Sequence, residues 1–451
     1  MHNRASLPLA LVILAILGAL STASSAWAQS APREKPRLKD FGSSLERLKW
    51  DARQNAAVET RRKKKEKERS SDDEEIVRVE TSLVVCDVLV LDKQGRIVKG
   101  LTPDDFVLTE DGRPQQVGTF SLGDNSEVGR TIVLIIDYSG SQFPFIRTSV
   151  AAAKTLVDKL GPRDTMAIVT DDVELLADFT RDKERLKKKL DSLEKSATAG
   201  ESLNPFSRGR RFGRSAQYSA LMATLKEAFD DEDQRPIIIF QTDGDELSFL
   251  RNPIISPSIP PNLPPEMQKE AQKSLQRAIK LQHDNMREFS LDDIYAAAEK
   301  SRATIYTIIP GFRLIGLTPD EQVKQLNAQA QISMSAWGVK PEMIERLTER
   351  EKQLPPEVWQ HRAERSLRVQ LALAGVAKAT GGWTDFLEDP TQADAVYSRI
   401  FSDINLRYVI GYYPTNKEHD GKRRRVSIEV RGRPEYTVWG RKSYYAPGPE
   451  E

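Results

Sequence analysis

The chain has 451 residues, 39% of them apolar and 29% charged, and 67 Lys and Arg stand against 66 Asp and Glu for a formal net charge of +1. That length carries two or three domains at the usual ~100–200 residues each. A near-neutral chain has no global field to steer it to nucleic acid or to an acidic membrane, so neither is expected as a partner.

The N-terminus has its own character. His2 and Arg4 precede an apolar stretch from Leu7 to Leu20, and Ala26-Trp27-Ala28 is a small-x-small cleavage site. Residues 1–28 therefore read as a signal peptide, with Gln29 opening the mature chain. The apolar stretch is short for a membrane span of ~20 residues, and a retained anchor is the alternative. No other segment is long and apolar enough to cross a bilayer, so the expectation is an exported chain, periplasmic or secreted, with no transmembrane segment. Cys86 is the single cysteine, which excludes an internal disulfide and reads as a buried, inert thiol.

Residues 29–75 run from Arg61-Arg62-Lys63-Lys64-Lys65 into Asp72-Asp73-Glu74-Glu75 and read as a charged, disordered linker. From Val77 apolar residues alternate with polar ones through Val85, and Val88 to Leu91 extends the run to a turn at Asp92-Lys93-Gln94-Gly95. Phe106-Val107-Leu108, the turn Asp111-Gly112 and Val117 to Phe120 complete a small antiparallel unit over 76–127. Three more strand candidates lie at 408–413, 426–430 and 436–439. Each set is too small to bury its own faces, so 76–127 and 406–446 are predicted to pack as one β-sandwich.

Between 128 and 405 strands alternate with helices, the pattern of a parallel sheet covered on both faces. The strands are predicted at 131–137, 165–170, 235–241 and 303–309, and the helices at 145–160, 182–195, 215–229, 266–300 and 390–404. Ile254 to Pro265 is a Pro-rich loop. Residues 310–360 read as an insertion of one or two amphipathic helices, and there is no internal repeat. The fold class is α/β, a doubly wound, mostly parallel sheet with a small flanking β-sandwich.

The chemistry gathers at strand ends. Asp137-Tyr138-Ser139-Gly140-Ser141 follows the apolar run Thr131 to Ile136, so one carboxylate and two hydroxyls emerge at the carboxyl end of a central strand. Open α/β sheets place their ligand sites there. Pro236 to Phe240 is a second buried run, and it ends in Gln241-Thr242-Asp243-Gly244-Asp245 at the same edge. Between them Gly213-Arg214-Ser215-Ala216-Gln217 enters a helix, where Ser215 offers a third hydroxyl. Hard oxygen donors of this kind suit Mg2+ or Mn2+, which keeps waters and so leaves a position for an incoming acidic group.

The three loops in order resemble a von Willebrand factor A-type (VWA) domain with a metal-ion-dependent adhesion site (MIDAS). Asp137, Ser139 and Ser141 match that family's D-x-S-x-S, Ser215 stands where the family usually has Thr, and Asp243 matches its third loop. Leu101-Thr102-Pro103-Asp104-Asp105-Phe106, Glu110-Asp111-Gly112 and Tyr408 to Tyr413 are similar to exported bacterial VWA-related proteins. The resemblance spans roughly 76–446. It implies a divalent ion held by Asp137, Ser139, Ser141, Ser215 and Asp243, with Asp245 assisting from behind. It also implies a protein ligand whose Asp or Glu completes the ion, and hence adhesion or protein–protein recognition. Some such domains switch through a moving C-terminal helix, for which 390–404 is the candidate.

Arg208, Arg210, Arg211 and Arg214 lie beside Ser215, and guanidinium forks suit an acidic partner. The alternative is a solvated loop. Enzyme readings find little. The four histidines, His2, His283, His361 and His419, are scattered, and there is no zinc-binding H-E-x-x-H, G-x-S-x-G or phosphate-binding loop. Asp137 resembles a phosphoaspartate position, but such hydrolases place a second Asp where Ser139 stands. The expectation is a non-enzymatic Mg2+-dependent binding module. The competing readings are a metal-free assembly module with a degenerate site and a metal-dependent hydrolase.

Overall fold

A computed structural model of the chain describes residues 48–51, 56–59, 83–122, 129–198, 213–229, 235–252, 259 and 264–448. The predicted signal peptide, most of the predicted linker, nearly all of the Pro-rich loop, and Arg208, Arg210 and Arg211 lie outside them. In the linker, β1 (Leu48–Asp51) pairs antiparallel with β2 (Ala56–Glu59).

Four strands follow: β3 (Val84–Leu91), β4 (Phe106–Glu110), β5 (Arg113–Gln115) and β6 (Val117–Leu122). Asp111 and Gly112, at φ 48° and 80°, make the tight turn between β4 and β5, and an Asp-Gly pair tolerates that left-handed backbone. The α/β part then runs through β7 (Thr131–Ile136), α1 (Ile146–Asp158), β8 (Thr165–Thr170), β9 (Leu175–Thr180), α2 (Lys183–Thr198), α3 (Gln217–Glu227) and β10 (Pro236–Gln241). It continues through α4 (Pro265–Asn285), α5 (Leu291–Lys300), β11 (Thr304–Pro310), α6 (Pro319–Ala336), α7 (Pro341–Lys352), α8 (Pro356–Ala379), β12 (Thr384–Leu387) and α9 (Ala393–Leu406). The chain closes with β13 (Tyr408–Tyr412), β14 (Arg423–Val430), β15 (Thr437–Trp439) and β16 (Ser443–Tyr445).

The central sheet has the order β12-β11-β10-β7-β8-β9, parallel except for the edge strand β9. Residues 132–136 of β7 are essentially inaccessible, as a strand covered on both faces must be. Ile132, Leu134 and Ile136 pack with Ile146 and Leu156 of α1 and Tyr397 of α9, while Val133 and Ile135 pack with Tyr218 and Leu221 of α3 and Leu373 of α8. Each such side chain contributes roughly 1.5–3 kcal/mol by leaving water. Because β7 lies between β8 and β10, the loops leaving β7 and β10 diverge and open a crevice at their carboxyl ends.

Two further sheets, β15-β3-β13-β6 and β16-β14-β4-β5, enclose a small core of Val88, Val90, Phe106, Leu108, Tyr408, Ile410 and Ile428. Each sheet takes strands from both ends of the chain. Cys86 is buried there, and burial pushes its thiol up to about 12, which keeps it inert. Arg407 pins this unit to the α/β part: its guanidinium donates to Gly381 O at 2.7 Å, to Asp403 Oδ2 at 2.8 Å and to Asp87 O at 3.3 Å.

Two expectations change in detail. The predicted helix over 266–300 is two helices, because 286–290 leaves the axis and Arg287 N–H donates to Phe249 O while Arg251 N–H donates to Phe289 O. Ser290 then starts α5 with a capping box to Asp293. The insertion holds α6 and α7, and Pro356 within it begins α8, which runs on to bury Leu373 and Val376 in the main core.

Candidate metal centre

Asp137 is the first residue after β7, and its backbone N–H donates to Gln241 O at the end of β10, so the two loops are tied at their origin. Its carboxylate is buried and accepts three hydrogen bonds: Oδ1 accepts from Ser139 N–H at 2.8 Å, and Oδ2 accepts from Thr242 Oγ1 at 2.8 Å and Gln217 Nε2 at 3.0 Å. Ser139 Oγ and Ser141 Oγ lie 3.0 Å apart, and Ser141 Oγ donates to Asp245 Oδ2 at 3.1 Å. On the facing loop Gly244 takes φ 74°, which turns the chain so that Asp243 and Asp245 face the same way. Asp245 N–H donates to Asp243 Oδ1 at 3.1 Å.

Asp137, Asp243 and Asp245 each place a carboxylate oxygen within 4.8 Å of the others. Three like charges at that range cannot all persist without a counter-charge. Burial, and then the Asp243 charge, push the Asp137 carboxyl up to about 6. Burial, then Asp243 and Asp137, push Asp245 up to about 8. Two neutral carboxamides offset part of the repulsion with N–H donors: Gln217 Nε2 bridges Asp137 and Asp245, and Gln142 Nε2 donates to Asp243 Oδ2 at 2.7 Å. Both leave a buried Oε1 without a hydrogen-bond partner among the described residues. The donors are carboxylate, hydroxyl and amide oxygens only. That set, with its surplus of negative charge and its stranded oxygens, fits a hard divalent cation such as Mg2+ or Mn2+.

Asp171 organises the loop between. It follows β8 as Asp137 follows β7, accepts from Tyr138 N–H at 3.1 Å and from Ser215 N–H at 3.0 Å, and is raised well above the usual carboxyl range by burial and then by Asp137. Glu246, fully buried, accepts from Ser219 Oγ at 3.0 Å, from the N–H groups of Tyr218 and Ser219, and from Arg287 Nε at 2.8 Å, which fixes the start of α3.

The folded chain thus gathers Asp137, Ser139, Ser141 and Asp243, and Asp245 stands among them as a full member of the cluster. Ser215 has φ 52°, and its hydroxyl makes no hydrogen bond among the described residues. Arg214 is exposed at the loop's end. Sequence reasoning passed over Gln142, Gln217, Asp171 and Glu246. The signals were present: Asp171 ends a strand, and Gln217 is a polar residue opening an otherwise apolar helix face.

A doubly wound sheet with one antiparallel edge carries all three loops at the same carboxyl edge, each after its own strand or before its own helix. The fold is VWA-like. Among solved structures the chain is similar to a von Willebrand factor type A protein from Catenulispora acidiphila, at 11% identity over 83% of this chain and 76% of that one, with a TM-score of 0.29. It is similar to an aerotolerance-related membrane protein from Bacteroides fragilis at 13% identity, 62% and 98% coverage and a TM-score of 0.27. A manganese-loaded Plasmodium vivax TRAP protein matches at 13% identity, 75% and 98% coverage and a TM-score of 0.26. No protein-family model and no curated protein matches the chain.

Proposed function

We propose that this VWA-like chain is an exported, non-enzymatic binding module. In this reading Asp137, Ser139, Ser141 and Asp243 take up Mg2+ or Mn2+ with a further oxygen from the loop that opens α3, and a protein partner's Asp or Glu completes the ion. The observation that carries the reading is the triad of carboxylates within 4.8 Å, joined to two hydroxyls at the carboxyl edge of the sheet. When bound, the cation supplies the positive charge that lets every carboxylate ionise and that attracts an incoming one.

The surroundings support an incoming group. A cleft of about 240 Å³ adjoins the cluster, lined by Asp243, Asp245 and Ser248 on one side and by Gln329 of α6 and Arg365 of α8 on the other. Phe143, in the first loop, packs on Trp337 at the end of α6 with ring centroids 4.7 Å apart, so the insertion forms a wall of the site. Arg208, Arg210, Arg211 and Arg214 precede Ser215 in the sequence and are proposed to meet an acidic partner surface.

Thermal unfolding of the full chain in EDTA and then in 10 mM Mg2+ tests the reading. A millimolar site stabilises the fold by ~1–1.5 kcal/mol at that concentration. The expected shift of a few degrees should be absent from Asp137→Ala. No shift in the wild type would leave the metal-free assembly module as the better account.

A further inference from the structure

The loop that opens α3 offers two candidate oxygens, and their settings differ. Ser215 is held at φ 52° with its N–H on Asp171 Oδ2, and the next N–H, of Ala216, donates to Asp171 O. This segment is turned toward Asp171. Gln217, two residues on, is wholly buried, and its side chain reaches into the acidic cluster, where Nε2 lies between Asp137 Oδ2 and Asp245 Oδ1. Its Oε1 is equally buried and has no hydrogen-bond partner among the described residues.

We infer that Gln217, in place of Ser215, is the ion's neutral ligand from this loop, and that one carboxamide serves the cluster in both of its states. This rests on the metal-binding reading above. A buried amide oxygen left unsatisfied forfeits the hydrogen bonds it made in water, so the orientation with N–H toward the carboxylates is only half satisfied. The two ends of a carboxamide are nearly the same size, and a half-turn about the terminal side-chain bond exchanges them. Without a cation, N–H faces Asp137 and Asp245 and offsets their repulsion. With one, the turned amide presents Oε1 at the same point, where amide oxygens are good ligands for hard divalent ions.

The two roles pull in opposite directions, which makes them separable. If the amide were only a donor to the metal-free cluster, it would compete with the ion, and removing it would tighten metal binding. If its oxygen is a ligand, removing it weakens binding.

Titration of the full-length protein with Mn2+, followed by calorimetry and by the loss of the free-ion paramagnetic signal, decides between them. Gln217→Met keeps the volume and removes both polar atoms, and it should weaken Mn2+ binding by about tenfold or more, as expected for loss of a ligand worth ~1.4 kcal/mol. Ser215→Ala should stay within about twofold of the wild type. Gln217→Glu restores an oxygen at the same reach and should bind Mn2+ at least as tightly as the wild type, while melting lower than the wild type in EDTA. Unchanged or tighter binding in Gln217→Met, or a loss confined to Ser215→Ala, overturns the assignment while leaving the metal site intact. If Gln217→Met does not fold, weaker binding in Gln217→Glu than in the wild type overturns it. A wild type that binds no Mn2+ removes the metal-binding reading and this assignment together.

Discussion

Glu246 is the residue on which the placement of α3, and so of Gln217, depends most directly. Its carboxylate has no exposure and Arg287 little, and Nε and Oε1 lie 2.8 Å apart. The same carboxylate receives Tyr218 N–H, Ser219 N–H and Ser219 Oγ. Glu246→Ala removes a buried charge from its guanidinium, which costs about 3–5 kcal/mol. It also strips the start of α3 of the acceptor that stands in for an N-cap, worth ~1 kcal/mol. A sum of about 4–6 kcal/mol is a large part of the 5–15 kcal/mol that usually separates folded from unfolded. Equilibrium urea unfolding, read by tryptophan fluorescence, measures it. The companion Arg287→Met and the double variant close a cycle. If the pair is what matters, the double variant should be less destabilised than the sum of the singles by at least ~1 kcal/mol. Strict additivity, or a Glu246→Ala cost below ~1 kcal/mol, would refute the reasoning, since a surface-like carboxylate behaves in that way.

Two further outcomes follow from the cluster and its loops. Asp137 and Asp245 carry folded-state carboxyls raised to about 6 and about 8 from an ordinary 3.8. Their protonation therefore favours the fold: the contribution is complete below about pH 4 and is lost as pH rises through the two values. In EDTA the melting temperature should fall between about pH 4 and about pH 8, and fall less in Asp245→Asn, whereas Mg2+ should bind better as pH rises. A wild-type slope retained in full by Asp245→Asn would show that the cluster is not its source. Gly213→Ala would place a Cβ 2.0 Å from Asp171 Oδ1 and should cost about 1–3 kcal/mol, read as a lower melting temperature. An unchanged melting temperature would show that the loop can move aside freely.

The architecture was legible because its signals are local. The apolar runs at 132–136 and 236–240 are unmixed, as strands buried on both faces require, and a carboxylate follows each within three residues. The alternation of Val426 to Val430 announced a strand with one wet face, and the structure extends it back to Arg423. What escaped was set by tertiary contact. The break before Ser290 depends on backbone bonds to 249–251, which no window around 286–290 contains. The edge strand β9 and the short β12 have too little pattern to separate from loop. At the site, the carboxylates stand at strand ends and could be named in advance. Gln142 and Gln217 are ordinary polar residues in sequence and gain their meaning only when folding sets them against Asp243, Asp137 and Asp245.

The way each sandwich sheet mixes early and late strands has a bearing on how the chain is made. β3 must pair with β13 and β15, and β4 with β14, yet the whole doubly wound sheet is synthesised in between. While that sheet assembles, β3 to β6 wait with open edges, the condition in which strands recruit wrong neighbours. The last strands therefore act as a closing clasp. A ribosome that stalled after α9 would leave a complete α/β unit attached to an unsealed ribbon, and quality-control proteases should find that ribbon before they find the acidic cluster.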